Sequence, residues 1–214
     1  MNFLDSEQTA WRDTVDRFME KEVTREYIRR QDVERAYPYD AYAKIAAAGW
    51  LRLLIPEDHG GDGGDIFAYA LMCEGLGKFG FDFATSVLVP TFTAMNIVKH
   101  GTDAQKAACL EPFMRGDLRF SISISEPSAG SDAAATRTRA TRDGDHYVIC
   151  GQKLWCSGAA ARDVTIQMLV RTDPSTTKHK GLSVLLVPND TPGLDIRKLP
   201  TLARRATGTT EIGR

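Results

Sequence analysis

Residues 116–125 read Gly-Asp-Leu-Arg-Phe-Ser-Ile-Ser-Ile-Ser, and the hydrophobic period changes inside this stretch. Phe120, Ile122 and Ile124 alternate with Ser121, Ser123 and Ser125. A period of two predicts a half-buried strand. Upstream the period is helical. Asp5 and Gln8 have the spacing of a capping box, and Trp11, Val15, Phe18 and Met19 recur at helical spacing between charged residues. A second helix covers 39–48 and stops at Gly49; 51–55 reads as a short extended piece, and PEDHGGDGGD over 56–65 is too rich in glycine to stay helical. Helices follow over 66–77, over about 84–99, and from Asp103, the last carrying Ala107, Leu110 and Phe113 inward. Downstream, Asp143-Gly144 between two alternating runs signals a hairpin, and 164–171, 181–188 and 194–199 read as further strands. A helical block followed by a β block predicts an α+β fold in segregated domains: an all-α domain over 1–118 and a β domain over 119–214.

The chain has 214 residues, 43% hydrophobic and 26% charged, which supports a sizeable core and rules out a disordered tail or a fibre. Lys plus Arg is 27 against 28 for Asp plus Glu, with no block of one sign, so no nucleic-acid footprint is expected. The longest apolar stretches, such as 45–49 and 181–187, fall far short of the roughly 18 residues of a membrane span. The N-terminal MNFLDSEQTAWRD is acidic where a signal peptide is basic, so a cytoplasmic location is expected. Cys73, Cys109, Cys150 and Cys156 form no CxxC pair and read as reduced, buried thiols, and the four dispersed histidines give no metal site.

Three segments carry candidate chemistry. The 56–65 loop matches neither a phosphate loop nor a dinucleotide fingerprint and reads as a structural turn. Residues 125–132, Ser-Glu-Pro-Ser-Ala-Gly-Ser-Asp, lie directly after the alternating strand, where N–H groups and the Ser125 and Ser131 hydroxyls can converge on an anion or a polar ring edge; a plain turn is the alternative. Trp155 and Ser157 in Lys-Leu-Trp-Cys-Ser-Gly (153–158) can present a flat apolar surface beside a hydroxyl; a core tryptophan and a turn are the alternative.

Taken in order, these segments resemble the acyl-CoA dehydrogenase family. Its marker, Ser/Thr-Glu-Pro-x-Ala-Gly-Ser-Asp, stands at 125–132, and its companion Trp-x-Ser/Thr at Trp155-Cys156-Ser157. Gly49-Trp50, then 56–61, His100-Gly101-Thr102-Asp103 and Gln105-Lys106 agree in the first half. The resemblance implies a helical domain, an antiparallel β-barrel-like middle domain, and a C-terminal four-helix domain absent from these residues, with FAD held between the middle and C-terminal parts. By similarity 122–131, including Ile122, Ile124 and Gly130, lies along the flavin, with Ser125 near the pyrimidine edge and Ser131 near the pyrophosphate and the CoA moiety. Trp155 would pack by the isoalloxazine, Cys156 would belong to the same site, and Ser157 would hydrogen-bond flavin N5. The stretch 87–95, with Thr91 and Thr93, is implied to line the acyl pocket, a helix buried on its neighbours being the alternative.

The implied reaction is α,β-dehydrogenation of an acyl-CoA thioester to a trans-2-enoyl-CoA, as in fatty acid β-oxidation, with electrons passed to an electron-transfer flavoprotein. The family base is a glutamate that falls beyond Arg214, so no catalytic residue is assigned here; Glu57, Glu74 and Glu126 are poor substitutes, and Glu126 is expected to fix its loop. Thr210-Glu211-Ile212 begins a family strand, so the β domain is expected to be truncated before its last strand, leaving an open edge and little turnover from these residues alone. A homotetramer is implied. The rivals are a non-catalytic subunit of a heteromeric flavoprotein and another flavoenzyme on the same scaffold, a nitroalkane oxidase or a flavin-dependent hydroxylase.

Overall fold

The computed structural model describes residues 4–176 and 178–213; what the sequence suggests for 1–3 and Arg214 lies outside them. The chain divides into two compact units, one running to Arg119 and taking in Leu202–Thr207, the other comprising Phe120–Thr201 and the residues from Gly208 onward.

Among the described residues, the first unit has six α-helices. α1 (Ser6–Phe18) starts with the reciprocal cap, in which the Gln8 N–H donates to Asp5 Oδ1 at 2.8 Å and the Asp5 N–H to Gln8 Oε1 at 3.1 Å. Its Trp11 donates to the Ala68 carbonyl at 2.8 Å and meets Trp50 edge-on, with ring centroids 5.5 Å apart. A five-residue π turn (Met19–Val23) leads to α2 (Arg25–Glu34), which no apolar period announced: its sequence REYIRRQDVE buries only Gln31. α3 (Tyr39–Ala47) ends at Gly49. The expected extended piece at 51–55 is instead a 3-10 turn (Trp50–Arg52). Trp50, Leu51 and Ile55 are all buried, and a coiled segment turns all three inward where a strand would alternate them. In the loop that follows, Gly61 is required by close approach: a Cβ there would lie 1.9 Å from the Ile55 carbonyl oxygen.

α4 (Ile66–Gly77), α5 (Phe81–His100) and α6 (Asp103–Arg115) complete the unit. α5 is long and apolar enough by composition to cross a membrane, yet more than half of its apolar window is buried inside the unit, as in a core helix. In α6 Leu110 and Phe113 point inward as expected, but Ala107 is exposed and Cys109 takes the buried position. The strap Leu202–Thr207 is fixed to the start of α5: Asp82 accepts from the Ala206 N–H at 2.9 Å, the Thr207 N–H at 3.2 Å and the Thr207 hydroxyl. Arg205 adds an ion pair to Asp32 at 3.1 Å.

The second unit holds two sheets. β1 (Arg119–Ser123), β2 (Arg139–Asp143), β3 (His146–Cys150), β5 (Val164–Arg171) and β6 (Leu182–Pro188) form one, ordered β1-β5-β2-β3 with β6 on β5. β4 (Gln152–Lys153), β8 (Thr210–Gly213) and β7 (Asp195–Lys198) form the other, in that order. The β2–β3 hairpin forms at Asp143-Gly144, pairing Asp143 with His146. The barrel-like, wholly antiparallel expectation is corrected: the sheets are separate, β2 meets β5 in parallel at Arg139 and Arg171, and no closed barrel occurs among the described residues. Between β3 and β4 the chain passes Thr138 at Gly151, where a Cβ would sit 2.5 Å from Thr138 Oγ1 and 2.7 Å from Thr138 Cα. Thr210–Gly213 forms a strand, paired with β4 on one side and β7 on the other.

Inside this unit β5 buries Val164, Ile166, Met168 and Val170 on one face, each contributing about 1.5–3 kcal/mol. The apolar set of β1 does not keep to the buried side: Phe120 is buried, but the two isoleucines after it are not. Ser121 and Ser123 are fully buried, Ile122 is half-buried and Ile124 is 41% exposed. Each buried hydroxyl is satisfied, Ser121 donating to the Ser157 carbonyl at 2.8 Å and Ser123 lying 3.0 Å from Cys156 Sγ. The cysteines also depart from expectation: all are free thiols, but Cys150 is exposed and Cys73 only half-buried.

Candidate functional site

β1 leads into the 125–132 loop, which is closed by two backbone bonds: the Glu126 N–H to the Ala129 carbonyl at 2.8 Å and the reverse at 3.2 Å. Pro127, Ser128, Gly130 and Ser131 are exposed, while Glu126 and Ala129 are buried and anchor the loop. The Glu126 carboxylate accepts from the Arg137 N–H at 2.8 Å, the Thr138 N–H at 2.9 Å and Lys153 Nζ at 2.9 Å. Burial works to raise its pKa, but Lys153, Thr138 and the backbone donors outweigh it and hold the carboxyl below its usual range. Lys153 is displaced downward, because burial outweighs the opposing pull of Glu126. The first half of this arrangement was foreseen, Glu126 as a loop-fixing residue. Lys153 was missed, because a lysine beside an exposed glutamine in a two-residue strand reads as a solvent-facing residue.

Trp155 and Ser157 lie on the segment following β4. The Leu154 N–H donates to the Ser125 carbonyl at 2.9 Å, which ties this segment to the marker loop. Trp155 has a left-handed backbone (φ 63°) and is 60% exposed. Cys156 points the other way and is fully buried. Its N–H donates to the Thr210 carbonyl at 2.9 Å, and its own carbonyl accepts from the Thr210 hydroxyl at 2.7 Å. Burial pushes its thiol pKa up, so Cys156 anchors the turn and presents no group outward. Ser157 is half-buried, its hydroxyl 3.4 Å from Thr209 Oγ1. β8 thereby holds the turn that carries Trp155 and Ser157.

The sequence-predicted residues of the sheet unit thus come together at two linked segments. Ile122, Ile124, Ser125, Gly130 and Ser131 belong to β1 and the marker loop, and Trp155, Cys156 and Ser157 to the turn tied to them. Outward they show a flat indole, the Ile124 side chain and the half-buried Ser125, an apolar face with a polar edge. Such a face fits a heteroaromatic ring like that of a flavin, which needs an apolar wall and hydrogen-bond partners at its rim. Thr91 and Thr93 lie in the other unit. They are 1% and 0% exposed, and their hydroxyls donate back to the Val87 and Val89 carbonyls of their own helix at 2.9 and 3.1 Å. Both therefore pack inside the helical unit, which favours the buried-helix alternative for these two side chains.

Family models match both units: "Acyl-CoA dehydrogenase, N-terminal domain" over residues 5–117 and "Acyl-CoA dehydrogenase, middle domain" over residues 121–213. The chain belongs to the acyl-CoA dehydrogenase family. It is 35% identical to the "Probable acyl-CoA dehydrogenase YngJ" of Bacillus subtilis over 99% of this chain and 56% of that protein. Among solved structures it is similar to an electron transferring flavoprotein of Acidaminococcus fermentans (TM-score 0.89, 27% identity, 99% of this chain and 56% of that one). It is also similar to a glutaryl-CoA dehydrogenase from Mycobacterium smegmatis in complex with FADH2 (TM-score 0.87, 26% identity, 98% of this chain and 53% of that one). The chain spans about half the length of these relatives.

Proposed function

We propose that this chain supplies the helical and middle domains of an FAD-dependent acyl-CoA dehydrogenase that converts a CoA thioester to a trans-2-enoyl-CoA. The observation that carries the proposal is the end of β1: past the buried Phe120 its serines turn inward and are satisfied there, while Ile124 and Trp155 stand exposed at the end of two tied segments. An isolated sheet gains nothing from that pattern; a ring covering the face recovers the apolar surface. The chemistry supplied when FAD is bound is acceptance of a hydride from the substrate β-carbon. In this proposal Trp155 and Ile124 wall the ring and exclude water, Ser125 meets its pyrimidine edge, and the Ser157 hydroxyl, oriented by Thr209, donates toward N5, where negative charge gathers on reduction. Ser131, exposed at the far end of the loop, meets the diphosphate and the CoA.

Glu126 takes no part as a base, because its oxygens are engaged by Lys153 and two backbone N–H groups. The proposal assigns the α-proton to a glutamate outside these residues and passes electrons to an electron-transfer flavoprotein within an oligomer. The likeness to a glutaryl-CoA dehydrogenase in complex with FADH2 and to an electron transferring flavoprotein supports it. The test is to reconstitute the protein with FAD and titrate it anaerobically with straight-chain, branched and polycyclic acyl-CoAs. Bleaching of the flavin absorbance by one of these classes is expected. Protein that takes up no FAD, or that turns over another substrate only with oxygen, would overturn the proposal.

A further inference from the structure

We propose that Lys153 and Glu126 form a positioning pair that sets the register between the two segments presenting the ring-facing surface; this rests on the flavin reading above. The side chains of Lys153 and Glu126 are 1% and 4% exposed and lie 2.9 Å apart, so both charges are withdrawn from water. Burying an ion pair is a poor way to gain stability, since a well-packed apolar pair of the same volume does as well or better. What an apolar pair could not do is hold specific backbone atoms. Lys153 Nζ donates to the Ile124 carbonyl at 3.0 Å as well as to Glu126 Oε1. Glu126 in turn holds the Arg137 and Thr138 N–H groups, which close the far side of the marker loop. One residue further along each segment, the Leu154 N–H bonds the Ser125 carbonyl at 2.9 Å.

The charged pair and this backbone bond therefore clamp 124–126 against 153–154. The residues clamped are neighbours of those that face outward: Ile124 and Ser125 on one side, Trp155 on the other. A slip of one residue in either segment would exchange inward and outward side chains, putting Ser123 or Cys156 where Ile124 or Trp155 now stands. Lys153 and Glu126 touch no ring themselves and act through the backbone they hold.

The test compares unmodified protein with Lys153→Met and Glu126→Gln, in FAD titrations well below each variant's unfolding temperature. The visible circular dichroism of the bound flavin and the unfolding midpoint without FAD are recorded alongside. Both variants are expected to bind FAD at least tenfold more weakly and with an altered flavin spectrum. Bound-flavin spectra and affinities equal to those of the unmodified protein, even with lowered midpoints, would show a merely structural pair and overturn the assignment. Should a variant fail to fold, hydrogen exchange on unmodified protein decides instead. FAD is expected to slow exchange at Leu154, Arg137 and Thr138 while leaving the 141–148 hairpin unchanged, and no slowing at those three overturns the assignment. Unmodified protein that takes up no FAD would bring down the flavin reading and this inference together, whereas normal uptake by unmodified protein and variants alike removes only the inference.

Discussion

Replacing Asp82 by Ala should free the strap Leu202–Thr207 without unfolding the helical unit. Asp82 receives two backbone N–H groups and one hydroxyl from the strap, at 2.9 and 3.2 Å for the first two. Hydrogen bonds to a charged group contribute about 1.5–3 kcal/mol each, but Asp82 is half-buried and partly solvated, and Ala206 and Thr207, once released, regain water. The net loss is therefore capped at about 2–3 kcal/mol, a roughly 30- to 150-fold rise in the population of the detached strap. The Arg205–Asp32 ion pair, at 32% and 46% side-chain exposure, is worth at most about 1 kcal/mol, and the strap's other ties, Arg205 to the Asp32 carbonyl at 3.1 Å and Arg204 over the Phe81 ring at 5.1 Å, are partly solvated as well. Arg204 and Arg205 make the assay direct, because trypsin cuts after either one only when the segment opens. Under conditions where opening is rapid and reversible, the cleavage rate follows that population. An increase of more than about tenfold at 204–205, with cleavage elsewhere unchanged, is expected. A rate within about twofold of the unmodified protein would show that Asp82 does not hold the strap, and the energetic reasoning would fall with it.

Three further outcomes follow from the sheet unit. Because Glu126 is held below its ordinary pKa in the folded chain, the stability it contributes is present above its unfolded value of about 4.3 and is lost as pH falls through the lowered folded value. Urea midpoints measured between neutral pH and pH 3 should therefore drop more for unmodified protein than for Glu126→Gln, and parallel curves would contradict this. At Trp155 the left-handed backbone reverses the usual order of small residues: Trp155→Gly should be more stable than Trp155→Ala by about 1 kcal/mol in chemical denaturation, and the opposite order would deny the conformation. Gly151→Ala drives a methyl onto the Thr138 backbone and should cost at least about 2 kcal/mol, measured by thermal unfolding; a cost near zero would mean that the β3–β4 turn relaxes freely.

The helices with an apolar stripe and a cap were legible from residues alone. Asp5 with Gln8 marked the start of α1, and the Asp143-Gly144 pair marked the hairpin. α2 was not, because its charged residues show no apolar period; it is capped by Thr24 and tied by polar contacts such as Arg25 to the Lys78 carbonyl and Asp32 to Arg205. The inward turn of Ser121 and Ser123 in β1 was hidden for a different reason. Period two reports that two faces differ, but not which is inside, and here buried hydroxyl partners on 156–157 decide it. The marker loop and the Trp155 turn were found in the sequence as separate segments. Their attachment through Lys153, Glu126 and the Leu154 N–H depends on pairings between residues nearly thirty positions apart, which no local pattern reports. At Thr91 and Thr93 the sequence showed an apolar helix but not that their hydroxyls bond the carbonyls four residues back.

The strap has a consequence for the order of synthesis. Leu202–Thr207 belongs to the helical unit, although β1 through β7 are made before it. A ribosome adding ~5–20 residues per second leaves the helices waiting on the order of ten seconds for their last piece. During that interval Asp82 at the head of α5 has no Ala206 or Thr207 to bind. A cut of the coding sequence after Arg119, the natural place to separate the units, would make that interval permanent and strand the strap on the wrong fragment.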